Sequence, residues 1–116
     1  MISPFSFFQK LYAKYLHARG LGHWRKGDYA KVEPLFQRAL KILEKALGPE
    51  HPNTGVSLNN LALLYQAMGD YAKAEPLYQR ALKILGEVLG PEHPNTARSL
   101  NSLALLYQAR GDYAKA

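Results

Sequence analysis

Gly27-Asp28-Tyr29-Ala30-Lys31 is repeated 42 residues later as Gly69-Asp70-Tyr71-Ala72-Lys73 and, after a further 42 residues, as Gly111-Asp112-Tyr113-Ala114-Lys115. A second phrase, Leu47-Gly48-Pro49-Glu50-His51-Pro52-Asn53-Thr54, recurs at residues 89–96 with the same spacing. The repetition therefore covers whole units and not one loop. Periods of about 20 to 50 residues are typical of solenoids, propellers and other arrays. Each unit of such an array buries its apolar face against its neighbours, and the stack presents an extended surface that usually binds a ligand.

The composition fits one small folded domain. The chain has 116 residues, of which 47% are hydrophobic, enough for a core. It contains no cysteine, which excludes disulfides, thiolate metal ligands and a cysteine nucleophile. A cysteine-free chain is compatible with a reducing compartment, and we expect a cytoplasmic location. No apolar run approaches the roughly 18 residues that a membrane-spanning helix needs.

The net charge of +6 is concentrated near the N-terminus. Residues 1–26 contain no acidic residue and carry Lys10, Lys14, Arg19, Arg25 and Lys26, whereas the later residues are close to neutral. Any electrostatic function must therefore be located mainly in this first segment. Because the repeats themselves carry little net charge, we do not expect a nucleic-acid partner.

Helical periodicity fills the space between the repeated phrases. Apolar residues recur at helical spacing, glycines stand at the turns, and Asp70 can cap the helix that follows Gly69. Pro52 suits the first turn of a helix, with His51 or Asn53 near its cap. The pattern predicts an all-α protein of antiparallel helix-turn-helix repeats, stacked as a short α-solenoid, with helices over residues 4–19, 29–47, 52–68, 71–89 and 94–110.

One unit, with a first helix A and a second helix B, resembles the tetratricopeptide repeat. The resemblance is carried by Leu58, Leu61, Ala62, Tyr65, Gly69, Asp70, Tyr71, Ala74, Tyr78, Ala81 and Leu82. Small alanines allow the two helices to approach, tyrosines fill the space around the contact, and Gly-Asp makes the turn. The common form of the family has about 34 residues per unit. The longer unit here resembles the kinesin-light-chain subtype, and the resemblance covers roughly residues 27–116.

The first unit departs from this pattern. Arg19 stands where the second unit has Leu61, and Gly22 interrupts the helical run. We therefore expect residues 1–26 to form a degenerate N-terminal helix or capping segment, and residues 27–116 to form the repeat array with a truncated last unit.

No constellation of residues indicates an enzyme, a metal site or a cofactor. His51 and His93 occupy equivalent links, one per unit, which favours a structural role over metal binding. Each aspartate of the Gly-Asp turns has a capping role available, so no catalytic carboxylate pair is indicated. The glycines lie at turns and form no phosphate-binding loop.

The resemblance implies an inner groove lined by the A helices, in which an asparagine at the position of Asn60 bonds the backbone of a bound peptide. The helical pattern extends this surface to the basic first helix, which suits an acidic peptide with an apolar anchor. The residues expected to bind the peptide are Asn59, Asn60, Leu63, Gln66, Arg98, Asn101, Leu105, Gln108, Lys14, Trp24 and Arg25.

Two alternatives stay open. A strip of Leu100, Leu103, Ala104 and Tyr107, the equivalents of residues that face helix B in the second unit, predicts self-association into a homo-oligomer. The basic, aromatic first helix could instead lie on an anionic membrane, although a membrane partner is not the expectation. The sequence thus favours a protein-protein interaction scaffold over a structural self-assembling module or a membrane-surface protein.

Overall fold

The structure, a computed structural model, describes residues 4–111 and confirms the all-α fold. Its described part contains five α-helices and no strand. Their bounds are Pro4–Arg25 (α1), Tyr29–Leu47 (α2), Pro52–Ala67 (α3), Tyr71–Leu89 (α4) and Pro94–Arg110 (α5). The turn expected at Asp112 and the residues after it lie outside the described part.

Four of the five helices begin and end within one residue of the predicted bounds, and α1 does not. It continues to Arg25, so the prediction that Gly22 interrupts it is wrong. The extra turn places Trp24 against the rings of Tyr29 and Phe36, at centroid distances of 5.6 and 6.2 Å. A glycine inside a helix costs only about 1 kcal/mol relative to alanine, and the packing of one large aromatic side chain exceeds that penalty.

The repeated phrases form the turns and caps that the sequence indicates. Gly69 has φ of 82°, in the left-handed region that only glycine adopts without strain. Asp70 then accepts a hydrogen bond from the backbone N–H of Lys73 at 3.2 Å. In the link, His51 is the N-cap of α3, and its Nδ1 accepts from the backbone N–H of Asn53 at 3.0 Å.

The helices pack as hairpins that stack on one another. α1 pairs with α2 and α3 with α4, while α2 contacts α3 and α4 contacts α5. The central core runs through this stack and includes Phe36, Leu58 and Tyr78, each at most 2% exposed. A smaller cluster around Leu16 and Leu43 joins α1 to the second half of α2.

Each A helix has two apolar sides that contact different neighbours. On α3, Tyr65 faces backward, since its hydroxyl accepts a hydrogen bond from Gln37 of α2 at 2.8 Å. Gly55 faces forward, because a Cβ there would meet Ile84 and Leu85 of α4 at 3.1–3.2 Å. The backward side therefore stacks the units, and the forward side closes each hairpin.

Candidate binding groove

A groove runs along the A helices on one side of the stack. Its first part lies between α1 and α3, and a smaller cleft continues it between α3 and α5. Val56 borders the first pocket and the cleft, and Asn60 borders the second pocket and the cleft, which makes the three depressions parts of one surface.

The first depression, which we call the N-terminal pocket, has a volume of about 320 Å³. It lies between α1, the end of α2 and the start of α3. Its lining residues are Phe7, Lys10, Leu11, Ala13, Lys14, His17, Leu43, Asn53 and Val56. The walls are mainly apolar, and two exposed lysines border them. A pocket of this size and lining suits a large apolar group that carries or adjoins a negative charge.

The second depression, the middle pocket, has a volume of about 190 Å³. It is lined by Leu21, Trp24, Arg25, Phe36, Asn60 and Leu63. The exposed guanidinium of Arg25 stands beside half-buried Trp24, so this pocket repeats the combination of an apolar wall and a cation. The cleft beyond it is only about 20 Å³ and is bordered by Asn59, Asn60 and Arg98, among others.

His17 joins α1 to α3 beneath the N-terminal pocket. Its Nε2 lies 3.0 Å from Oγ of Ser57, and its ring packs edge-on to Phe36 at a centroid distance of 5.3 Å. Burial lowers the pKa of His17 below its usual range, which favours the neutral ring. The lysines thus supply the positive charge of this pocket, and His17 supplies part of its neutral wall.

The positive field of this region also affects His51. Its pKa is lowered, first by burial and second by the charge of Lys10. The neutral form is the one its capping role requires, since Nδ1 accepts a hydrogen bond there.

The contact between His17 and Ser57 has no counterpart in the next unit. The residues 42 positions later are Asn59 and Ser99. Within residues 4–111, Oδ1 of Asn59 and Oγ of Ser99 are buried without a hydrogen-bond partner. The cleft between α3 and α5 is therefore bordered by an asparagine with an unused acceptor.

The structure brings seven of the predicted peptide-binding residues to this groove. They are Lys14 in the N-terminal pocket, Trp24, Arg25, Asn60 and Leu63 in the middle pocket, and Asn59 and Arg98 in the cleft. Asn59 is only 4% exposed, so it borders the cleft from within the protein.

Four predicted residues lie elsewhere. The carbonyl oxygen of the Gln66 side chain accepts a hydrogen bond from the hydroxyl of Tyr78 at 2.7 Å, which directs it toward α4. Asn101, Leu105 and Gln108 are exposed on α5 and line none of the three depressions. Conversely, Lys10 and Phe7 line the N-terminal pocket without having been predicted, although Lys10 precedes Lys14 by one helical turn, a spacing that indicates a shared face.

The predicted self-association strip needs correction. Leu103 and Tyr107 are buried in the core, 8% and 7% exposed, and the Tyr107 hydroxyl donates to the carboxylate of Glu75 on α4 at 2.9 Å. They lie on the backward side of α5 and are covered within the chain. Leu100 is 56% exposed, whereas its equivalent Leu58 is fully buried. Ala104 is half-buried.

The described residues contain no group of three or more His, Asp or Glu side chains placed to hold a metal ion. Among the five helices of the described part, none is long and apolar enough to cross a bilayer.

The geometry defines a class of protein: a helical repeat array whose A helices form a binding groove. The tetratricopeptide repeat family matches residues 11–87 and 56–116, which together cover most of the sequence. The chain belongs to the tetratricopeptide repeat family. Repeats of this family generally mediate protein-protein interactions, and the chain is accordingly an interaction scaffold in this general sense.

Two solved structures are similar. BtubC (BKLC) from P. vanneervenii superposes with a TM-score of 0.82 at 24% sequence identity, over 90% of this chain and 41% of that one. A kinesin-light-chain-type protein of Podosopora anserina with nearly identical TPR-like repeats has a TM-score of 0.77 at 30% identity, over 86% of this chain and 47% of that one. The long repeat is thus of the kinesin-light-chain type, and this chain spans less than half the length of either structure. No curated protein matches the sequence.

Proposed function

We propose that the chain binds an acidic peptide segment with an apolar anchor in the groove formed by the A helices. The observation that carries this proposal is the succession of two mainly apolar pockets, each bordered by a cation, along the space between α1 and α3. Apolar side chains of a peptide occupy the pockets, and its carboxylates lie near Lys10, Lys14 and Arg25.

Charge supports an acidic partner. All three cations are exposed, and residues 1–26 contain no acidic side chain that would neutralise them. Complementary charges mainly increase the association rate and the specificity, while the filled pockets supply most of the affinity. Asn60, between the middle pocket and the cleft, is well placed to bond the peptide backbone.

The test uses fluorescence anisotropy with short labelled peptides in which one leucine or tryptophan is flanked by aspartates. One comparison peptide replaces the aspartates by asparagine, and another replaces the apolar residue by serine. We expect both changes to weaken binding, and we expect affinity to fall as salt is added, because exposed charges are screened over about 10 Å at 0.1 M ionic strength.

A matched pair of double variants locates the site. Lys14→Glu with Arg25→Glu alters the groove, whereas Lys45→Glu with Lys83→Glu makes the same charge change on exposed positions of the B helices. The groove variant should lose at least about tenfold in affinity, and the control should stay within about twofold. Equal losses in both would show that only the overall charge matters and would refute the groove.

Homo-oligomer formation is a second proposal, favoured by the exposure of Leu100. The equivalent residue of α3, Leu58, is fully buried, so we expect a neighbouring helix to cover Leu100 as well. A second copy that covers Leu100 and Ala104 buries apolar area at about 25 cal/mol per Å². A cytoplasmic location is likewise a proposal, supported by the absence of cysteine.

A further inference from the structure

The exposed side of α1 carries a row of aromatic residues that takes no part in the groove or the core. Phe5, Phe8, Tyr12 and Tyr15 follow one another at spacings of three and four residues and so lie on one side of the helix. Their exposed fractions range from 39% for Tyr12 to 70% for Phe5. We call these four residues the aromatic face.

The corresponding side of α3 shows what this position does elsewhere in the array. Thr54 and Ser57, 42 residues after Tyr12 and Tyr15, are fully buried where α3 stacks on the first hairpin. The next positions of that stacking side, Leu61 and Leu64, are replaced in α1 by Arg19 and Gly22. The bulky tyrosines, the charge and the glycine do not reproduce the stacking surface of a repeat. A preceding helix pair of this family is therefore a poor fit to the aromatic face.

The charges around the aromatic face are positive. The guanidinium of Arg19 lies 5.8 Å from the ring centre of Tyr15, and that of Arg38 lies 5.4 Å from the ring centre of Tyr12. Asp28 is the first acidic residue of the chain, beyond the end of α1. Two copies that paired through this face would bring two acid-free cationic helices together, and like charges at an interface oppose association.

The exposed apolar surface is large enough to be functional. An aromatic side chain presents about 150–250 Å², so the four half-exposed rings of the aromatic face together leave roughly 450 Å² accessible. That value lies in the range of about 300–600 Å² typical of the largest apolar patch on a monomeric protein, and such patches are often functional. Aromatic residues beside Arg and Lys are the side chains that favour the boundary between lipid headgroups and acyl chains.

We propose that the aromatic face docks on an anionic lipid surface. The rings enter the headgroup region, while Arg19 and Arg38 contact the lipid phosphates and carboxylates. Because Ala13 and Leu16 pack on α2, only the exposed side of α1 can enter the lipid. The helix axis therefore lies parallel to the lipid surface. The groove opens on another side of α1, where Lys10, Lys14 and Arg25 are located. The peptide site therefore stays accessible when the aromatic face is bound to lipid.

The test is flotation of the full chain with vesicles of phosphatidylcholine alone or mixed with phosphatidylserine. We expect binding to the mixed vesicles, weaker binding at high salt, and little binding to phosphatidylcholine alone. Phe5→Ser with Phe8→Ser should reduce binding at least about tenfold. The control, Leu100→Ser with Leu105→Ser, removes two exposed leucines of α5 and should leave lipid binding unchanged.

A tryptophan introduced into the aromatic face tests whether this face enters the lipid. In a Trp24→Phe background, Phe8→Trp should shift its fluorescence emission to the blue when phosphatidylserine vesicles are added. Circular dichroism of each variant checks that it is folded.

Three results would overturn the proposal: no binding to the anionic vesicles, equal loss in the leucine control, or a dimer in the absence of lipid that the Phe5 and Phe8 changes disrupt. The last result would assign the aromatic face to a second copy of the chain. Peptide binding by the phenylalanine variant is measured in parallel and should be unchanged, so failure of the lipid proposal is distinguishable from failure of the groove.

Discussion

Two glycines in α1 allow its position in the stack to be tested by the same small substitution at neighbouring sites. Gly20 faces the core, and a Cβ added there would lie 2.5 Å from Cε1 and 2.9 Å from Cδ1 of Phe36. Gly22 is exposed, and a Cβ added there would meet nothing within 4 Å. Replacement of each glycine by alanine therefore gives the same gain in helix propensity, and only one replacement meets an obstacle.

The expected magnitudes differ in sign. Alanine is favoured over glycine inside a helix by about 0.8–1 kcal/mol, so Gly22→Ala should raise the free energy of unfolding by about that amount. At Gly20 the added methyl group forces a shift of Phe36, which is 2% exposed and held by the rings of His17 and Trp24. Overpacking of a core typically costs about 1–3 kcal/mol. The net effect of Gly20→Ala should lie between roughly zero and a loss of 2 kcal/mol.

Urea unfolding followed by helical circular dichroism measures both values, and thermal unfolding should show Gly22→Ala with a midpoint about 4 °C higher. Equal stabilisation by the two alanines would refute the close packing of α1 on Phe36. Destabilisation by Gly22→Ala would show that α1 is interrupted at that residue, as the sequence pattern predicts and the structure contradicts.

Burial lowers the pKa of His17 below the usual 6.5, so protons bind the unfolded chain more readily, and the free energy of unfolding should decrease as the pH falls below about 6.5. His17→Asn should weaken this decrease in urea titrations, and an identical pH profile for the variant would contradict a role of His17. Leu100→Glu should lower the mass found by light scattering at high protein concentration, whereas a monomer at every concentration would reject self-association. Tyr78→Phe removes the hydroxyl that donates to Gln66 and should lower the free energy of unfolding by about 1 kcal/mol in the same urea assay. An unchanged urea midpoint would contradict this value.

The fold could be predicted because the repeated phrases contain the residues that start and stop helices. Gly69 requires φ above zero, Asp70 and His51 cap the helices that follow, and each role is visible in the residue type. The end of α1 could not be predicted from such signals. Packing of Trp24 against Tyr29 and Phe36 of α2 outweighs the local cost of Gly22, and such contacts between helices are not visible in the local sequence pattern.

Trp24 and Arg25 lie beyond Gly22, so their place on the same helix as Lys14 depends on the continuation of α1 that the pattern does not predict. Only the general course of a groove along the A helices was predictable, from the resemblance to the tetratricopeptide repeat. The self-association strip was not, because helical periodicity shows that Leu100 and Leu103 are both apolar but not which neighbour covers each of them. That assignment depends on the angle at which successive units stack. The structure shows it through the hydrogen bonds of Tyr65 and its equivalent Tyr107, which point backward to the preceding helix B.

The departures of α1 from the repeat are confined to particular sides of the helix. Where α1 contacts its own helix B it keeps a small residue, Gly20, in place of Ala62, and its place in the hairpin is preserved. On the stacking side it replaces Leu61 by Arg19. Along the groove it carries the cations, since Lys14 stands where α3 has Val56. Substitutions on the exposed sides of a helix add charge and aromatic surface at little cost in core packing. The residues that we assign to partner recognition therefore accumulate on α1, and substitutions there should alter binding with less effect on the stability of α3, α4 and α5.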